Sequence, residues 1–248
     1  MLEMASVFTR KPGQNMGGHA VGIIVLNVGY PTIPGNVANA STFRFPVRYA
    51  VVEGSNIPKI LSGDPGLLEP SLHAARQLVA DGCRAIVGAC GYWARFQKPM
   101  AASLEVPVFM SSLCQVPTIT ASLRPGEKLG VICASRPSLT PEVLQQVGVP
   151  PDAPLVVYGL EEEPEFRSAI VEGRGTLDSH QVESEVAGVA RRMCSDHPEV
   201  ASILLECSDI PPYAKAVQDA TGRPVWDFIT LINWIYDGVV KRRFEGFV

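Results

Sequence analysis

Two cysteines stand where a reactive thiol is useful. Cys90 follows the stretch Arg84-Ala85-Ile86-Val87-Gly88-Ala89 and Cys207 follows Ile203-Leu204-Leu205-Glu206, each an apolar strand pattern running into a helical one. In a parallel sheet this junction is the rim at which ligands bind. A thiol before a helix meets unsatisfied N–H donors and the positive end of the dipole, which favour thiolate and lower a pKa that starts near ~8.5. The same donors can hold a substrate carboxylate. With the two sulfurs on opposite sides of a bound carbon acid, one as thiolate removes a proton and the other as thiol delivers one. That chemistry acts on the carbon next to a carboxylate or carbonyl, and it calls for no cofactor, neither a metal nor pyridoxal.

The elements that must position these thiols read as alternating α/β. Strand patterns cover Val21 to Val28, Val47 to Val52, Arg84 to Ala89, Val106 to Met110, Leu129 to Ala134, Leu155 to Tyr158, Ser202 to Leu205 and Pro224 to Trp226. Helical spacing places Leu68, Leu72, Ala75 and Val79 on one face within Leu67 to Ala80, and Val182, Val186, Val189 and Met193 within Ser179 to Met193. Phe228 to Val240 carries Leu231, Ile232, Ile235, Val239 and Val240 on one side, and the Lys241-Arg242-Arg243 cluster suits its carboxyl end.

The chain also repeats itself. Pro107-Val108-Phe109 begins 17 positions after Cys90, and Pro224-Val225-Trp226 begins 17 positions after Cys207. Upstream, the glycine-started strands Gly22-Ile23-Ile24-Val25 and Gly130-Val131-Ile132-Cys133 precede second strands ending at Val51-Val52 and Val156-Val157. The order strand, strand, helix, strand-Cys, helix, strand thus occurs twice, the signature of a duplicated unit. The expected fold is α/β, with two pseudo-symmetric lobes, each a parallel four-stranded sheet flanked by helices, and the active site in the cleft between them. A flexible N-terminal arm is expected over residues 1–18. Lobe 1 is expected over 19–125 with the closing C-terminal helix of 226–248, and lobe 2 over 126–225.

The stretches Gly88-Ala89-Cys90-Gly91-Tyr92-Trp93 and Leu205-Glu206-Cys207-Ser208-Asp209 resemble the aspartate/glutamate/hydantoin racemase superfamily, whose members carry one catalytic cysteine per lobe after a strand. In architecture the resemblance covers the chain from about Val21 to Ile235. It implies an isomerase: a racemase or epimerase of an amino-acid-like or hydantoin-like carbon acid, independent of pyridoxal, with Cys90 and Cys207 as its acid/base pair. It also admits cis-trans isomerases of unsaturated diacids and decarboxylases of substituted malonates. A two-lobe binding protein without catalysis is the reading from another class, because hinged lobes also suit ligand capture.

The sequence departs from the amino-acid racemases beside both cysteines. Many of those have Asn-Thr after the first and Thr-His or Thr-Glu after the second, where this chain has Gly91-Tyr92 and Ser208-Asp209. Gly91 and Tyr92 are expected to contact substrate, and Tyr92 with Trp93 favours a bulkier or flatter ligand than aspartate. Ser208 can donate to a carboxylate, and Asp209 is placed to orient or polarise Cys207. The acidic Asp-Ser-Gly of glutamate racemases is replaced by Leu26-Asn27-Val28-Gly29, which weakens the case for glutamate. Asn27 and Ser135, at equivalent strand ends, are further expected substrate contacts. Tyr30 to Pro46 reads as a long irregular loop at the same rim, with a turn at Gly35-Asn36, and a lid is one reading of it.

Composition narrows the partners. A formal net charge of -4 with 19% charged residues gives no basic footprint for nucleic acid. The apolar stretches, such as Ala20 to Leu26, fall short of the roughly 18 residues that span a bilayer. No membrane partner is expected, and a cytoplasmic location is. The six cysteines include no C-x-x-C pair and the four histidines no metal spacing, so reduced thiols and no metal site are expected. The expected partner is a small-molecule substrate bearing a carboxylate or carbonyl, and a homo-oligomer is compatible with the sequence.

Overall fold

The computed structural model of the chain describes residue 7, residues 9 and 10, and residues 14–248. The expected N-terminal arm falls partly on residues 1–6, 8 and 11–13, which lie outside the described residues.

Each half forms a parallel four-stranded sheet. The first contains β1 (Val21–Val25), β2 (Val47–Val51), β3 (Ala85–Gly88) and β4 (Val108–Phe109), in the order β2-β1-β3-β4. The second contains β5 (Lys128–Cys133), β6 (Leu155–Gly159), β7 (Val200–Leu205) and β8 (Val225–Trp226), in the order β6-β5-β7-β8. The two orders are the same once the count is restarted at β5. The central strands β1, β3, β5 and β7 are apolar on both faces because helices cover both sides, which is why they read as continuous runs rather than alternations.

Close packing of helix on sheet explains the glycine that recurs in the first strand of each half. A Cβ on Gly22 would lie 2.9 Å from Leu78 Cβ, and one on Gly130 would lie 2.5 Å from Met193 Cε. Leu78 belongs to the helix Leu68–Ala80 and Met193 to the helix Ser179–Asp196, so the same device seats the long helix of each lobe. Burying a leucine such as Leu72 or Leu78 contributes on the order of 1.5–3 kcal/mol. Asp178 starts the second of these helices by accepting N–H bonds from His180 at 3.0 Å and Gln181 at 3.2 Å.

The last helix, Phe228–Val239, begins at Asp227, whose carboxylate accepts the Thr230 N–H at 2.8 Å. Phe228, Leu231, Ile232 and Ile235 pack with Val21, Ile23, Ala85 and Val87, so the end of the chain returns to the first sheet. Lys241, Arg242 and Arg243 lie beyond the helix and are exposed. Among the described residues, no helix is long and apolar enough to cross a membrane.

Candidate active site

Cys90 and Cys207 line one cavity, in the cleft where the carboxyl ends of the two sheets meet. Cys90 directly precedes the short 3-10 helix Gly91–Phe96, in extended conformation. Cys207 follows β7 and is separated by a turn from the next helical segment, Pro211–Tyr213. The expected helix therefore does not start directly after the second cysteine. All six cysteines are free thiols, and Cys133 is fully buried, as its apolar run requires.

The expected lowering of the thiol pKa values is not found. Burial raises Cys90, the neighbouring Glu206 and Asp209 carboxylates add to the rise, and N–H bonds from Tyr92 and Trp93 oppose it. Cys207 is likewise pushed up, first by burial and then by Asp209, Glu206 and Cys90. A six-residue 3-10 turn supplies little dipole, whereas desolvation acts on the whole charge. Both sulfurs therefore rest as thiols.

Cys207 has a proton acceptor at hand. Its Sγ donates to Asp209 Oδ2 at 3.3 Å. The same oxygen accepts the Tyr30 hydroxyl at 3.0 Å and lies 3.5 Å from Ser208 Oγ, while Oδ1 accepts Asn36 Nδ2 at 2.6 Å. Burial raises the Asp209 pKa, and the donors from Cys207, Asn36, Tyr30 and Ser208 pull it back. Tyr30 and Asn36 come from the irregular loop, which is tied down further by the Val37 N–H to the Ser208 carbonyl at 3.3 Å.

A second carboxyl stands behind the first cysteine. Glu206 is fully buried, its Oε2 accepts the Ala134 N–H at 3.3 Å, and its Oε1 has no partner. Its pKa is pushed up to about 8, by burial first, with the Ala134 bond opposing and Asp209 adding. Glu206 fits only because residue 91 is glycine: a Cβ there would overlap its carboxyl group.

The remaining sequence-predicted residues divide. Ser208 and Asp209 line the cavity, and the Ser208 hydroxyl donates to the Ala89 carbonyl at 3.1 Å. Tyr92 lines it with its ring, but its hydroxyl donates to the Ser135 carbonyl at 2.7 Å and accepts the Ser135 N–H at 2.7 Å. Ser135 thus anchors Tyr92 with its backbone, and its own hydroxyl pairs with Ser138 at 3.0 Å. Gly91 makes room for Glu206 rather than lining the cavity. Asn27 is exposed and absent from the lining, with its N–H bonded to Ser55 Oγ at 3.1 Å. Arg44, on the irregular loop that carries Tyr30 and Asn36, is exposed and outside the lining.

Sequence reasoning passed over the polar lining residues Tyr30, Thr32 and Asn36 and an apolar wall of Val28, Ile57, Ile60, Leu61, Ile170 and Val171, and also the buried Glu206 outside the lining. Among the described residues that line the cavity, Asp209 is the one carboxylate and none is a lysine, arginine or histidine. Arg95 stands outside that wall with its guanidinium against Gly63 and its Nε unpartnered. Burial lowers the Arg95 pKa while charge on Cys90 opposes that effect. Among the described residues, no group of three or more His, Cys, Asp or Glu side chains could hold a metal ion.

The fold is that of the Asp/Glu racemase superfamily. A glutamate racemase from Bacillus anthracis superposes with TM-score 0.56 at 12% identity, covering 90% of this chain and 85% of its own. An allantoin racemase from Pseudomonas fluorescens gives 0.55 at 14%, covering 92% and 99%, and an arylmalonate decarboxylase gives 0.52 at 13%, covering 89% and 92%. No protein-family model matches the chain.

Within that fold the chain belongs to the dimethylsulfoniopropionate lyase family. It is 30% identical over 240 residues to a dimethylsulfoniopropionate lyase of Durusdinium sp. clade D, covering 93% of this chain and 79% of that protein. It is 33% identical over 223 residues to dimethylsulfoniopropionate lyase 3 of Emiliania huxleyi (strain CCMP1516), covering 86% of this chain and 58% of that one. The chain thus spans somewhat over half the length of the Emiliania relative.

These relatives overturn the expected activity. They are named as lyases, so the racemase or epimerase reading and its isomerase class are corrected. The physical reason is that two thiols flanking a carbon acid specify proton removal and leave the fate of the carbanion open. A leaving group one carbon away turns the same deprotonation into elimination.

Proposed function

We infer that this protein is a lyase that cleaves dimethylsulfoniopropionate to dimethyl sulfide and acrylate by removing a proton from the carbon next to the carboxylate. The observation that carries this reading is the Cys207–Asp209 hydrogen bond, 3.3 Å long, inside a largely apolar cavity lined by no cationic side chain among the described residues. Asp209 takes the Cys207 proton, and the thiolate takes the α-proton. The C–H electron pair becomes the new double bond as the bond from the β-carbon to sulfur breaks. The sulfonium leaves as neutral dimethyl sulfide, which needs no acid to assist it. The proton that came from Cys207 stays on Asp209, and Cys207 is a thiol again.

Electrostatics favour a cationic leaving group here. In the resting complex the sulfonium stabilises ionised Asp209, and the two charges vanish together as the reaction proceeds. The Tyr30 and Tyr92 ring faces and the apolar wall suit a dimethylsulfonium better than a hydrated ammonium. The substrate carboxylate is directed to the Cys90 side, where Arg95 contributes positive potential. Cys90, held as a thiol by its burial and acidic neighbours, donates its S–H to the carboxylate as negative charge builds there.

The test is incubation of the purified chain, with its thiols reduced, with dimethylsulfoniopropionate, following dimethyl sulfide in the headspace and acrylate in solution. Equal release of both is the expected result. Release of neither from mildly acidic to mildly alkaline pH would overturn the reading.

A further inference from the structure

The loop that covers the cavity reaches across to the other lobe and ends on the carboxylate beside Cys207. Tyr30 donates to Oδ2 and Asn36 to Oδ1 of Asp209, which is itself 7% exposed. Asn36 is 3% exposed, and its own Oδ1 is committed to the Ala38 N–H at 2.7 Å, a turn that aims its Nδ2 outward from the loop. Thr42 completes the brace, accepting the Gly35 N–H at 3.0 Å and donating to the Asn36 carbonyl at 2.8 Å. A loop serving only to exclude water would not need both oxygens of one buried carboxylate.

We propose that Tyr30 and Asn36 are positioning residues that keep Asp209 ionised, so that Cys207 has a proton acceptor only while the loop is seated. This deepens the lyase reading and rests on it for its catalytic consequence. A carboxylate buried without donors takes up a proton, and a protonated Asp209 cannot accept one from Cys207. Substrate enclosure and formation of the base are then one event. The titratable groups facing Asp209 are Tyr30 from the loop, Cys90 from the first lobe, Glu206 and Cys207 beside it in sequence, and Tyr213 from the following helical turn. All of these are neutral or negative, so the loop donors have no cationic substitute among them.

Both donors favour the charged form of Asp209, so losing either one raises its pKa. The acid limb of the rate profile then moves to higher pH. For Tyr30→Phe, and separately for Asn36→Ser, the expected shift is about one pH unit, the size of one hydrogen bond to a charged group. Asn36→Ser keeps an oxygen able to accept the Ala38 N–H, so the turn is retained.

The experiment measures kcat/KM for dimethyl sulfide release against pH in the full chain and both variants. In parallel, the Asp209 carboxyl is titrated by carbon-13 NMR, which needs no turnover. The expected result is an acid limb and an Asp209 titration that move up together. Unchanged limbs and an unchanged Asp209 titration, whatever the loss of rate, would overturn the proposal. If the unmodified chain releases no dimethyl sulfide, the lyase reading fails, and the NMR titration still decides whether the loop controls the Asp209 charge.

Discussion

Below about pH 8 the buried Glu206 carboxyl keeps its proton, whereas in the unfolded chain it loses it near 4.5. The folded pKa is raised, so the associated stability is fully present below the unfolded value and is lost as pH rises toward the folded one. Between pH 5 and 7 the loss is on the order of 2–3 kcal/mol. Glu206→Gln removes this titration, so its Tm should change less between those pH values than that of the unmodified chain. Thermal unfolding at both pH values checks this. The two cysteines should also separate. In the proposed reaction Cys207→Ala removes the base and should lower kcat by about 10²- to 10⁴-fold. In the same reaction Cys90→Ala removes one donor to a developing charge and should cost about 10- to 100-fold. Steady-state kinetics of dimethyl sulfide release measures both. The cysteines were legible in the sequence because the repeat placed them at equivalent positions. Glu206 was not, because a carboxyl at a strand end reads as a rim residue until the glycine facing it is known to be its seat.

At the scale of elements, Tyr92 joins the helical turn after Cys90 to the end of β5 in the other lobe through both the N–H and the carbonyl of Ser135. Tyr92→Phe leaves these two buried backbone groups without that partner and should destabilise the protein by about 1–3 kcal/mol. Denaturant unfolding measures the loss, and the acid limb of the rate profile should stay in place because Asp209 keeps its donors. The strands and long helices were legible as apolar runs and helical stripes, and the observed elements fall within or within a few residues of those spans. The loop was not. Its Gly35-Asn36 turn was visible, but nothing in an aperiodic segment of proline and small polar residues reveals that Tyr30 and Asn36 meet a carboxylate about 175 positions away. The turn between Cys207 and its helix was missed for a related reason: Ser208-Asp209-Ile210-Pro211 is compatible with a helix start, and only the contacts of Asp209 across the cleft explain its conformation.

At the scale of the molecule, two copies of one α/β unit bring two carboxyl rims together, and the cleft inherits one thiol from each. Duplication was readable from the repeat, and both sheets share one strand order. The lyase class of its relatives was not, because a leaving group belongs to the substrate and only the character of the walls bears on it. A racemase needs both thiols to exchange protons with the same carbon. An elimination needs one base and a place for a departing neutral sulfide, which in the proposed reaction is the apolar wall beside Tyr30. The measurement that tests this most directly is dimethyl sulfide release from dimethylsulfoniopropionate deuterated at the carbon next to the carboxylate, by the unmodified chain and by Cys207→Ala. The predicted result is slower release from the deuterated substrate by the unmodified chain and loss of release in the variant. Release that is indifferent to deuterium and survives in Cys207→Ala would contradict the assignment of Cys207 as the base.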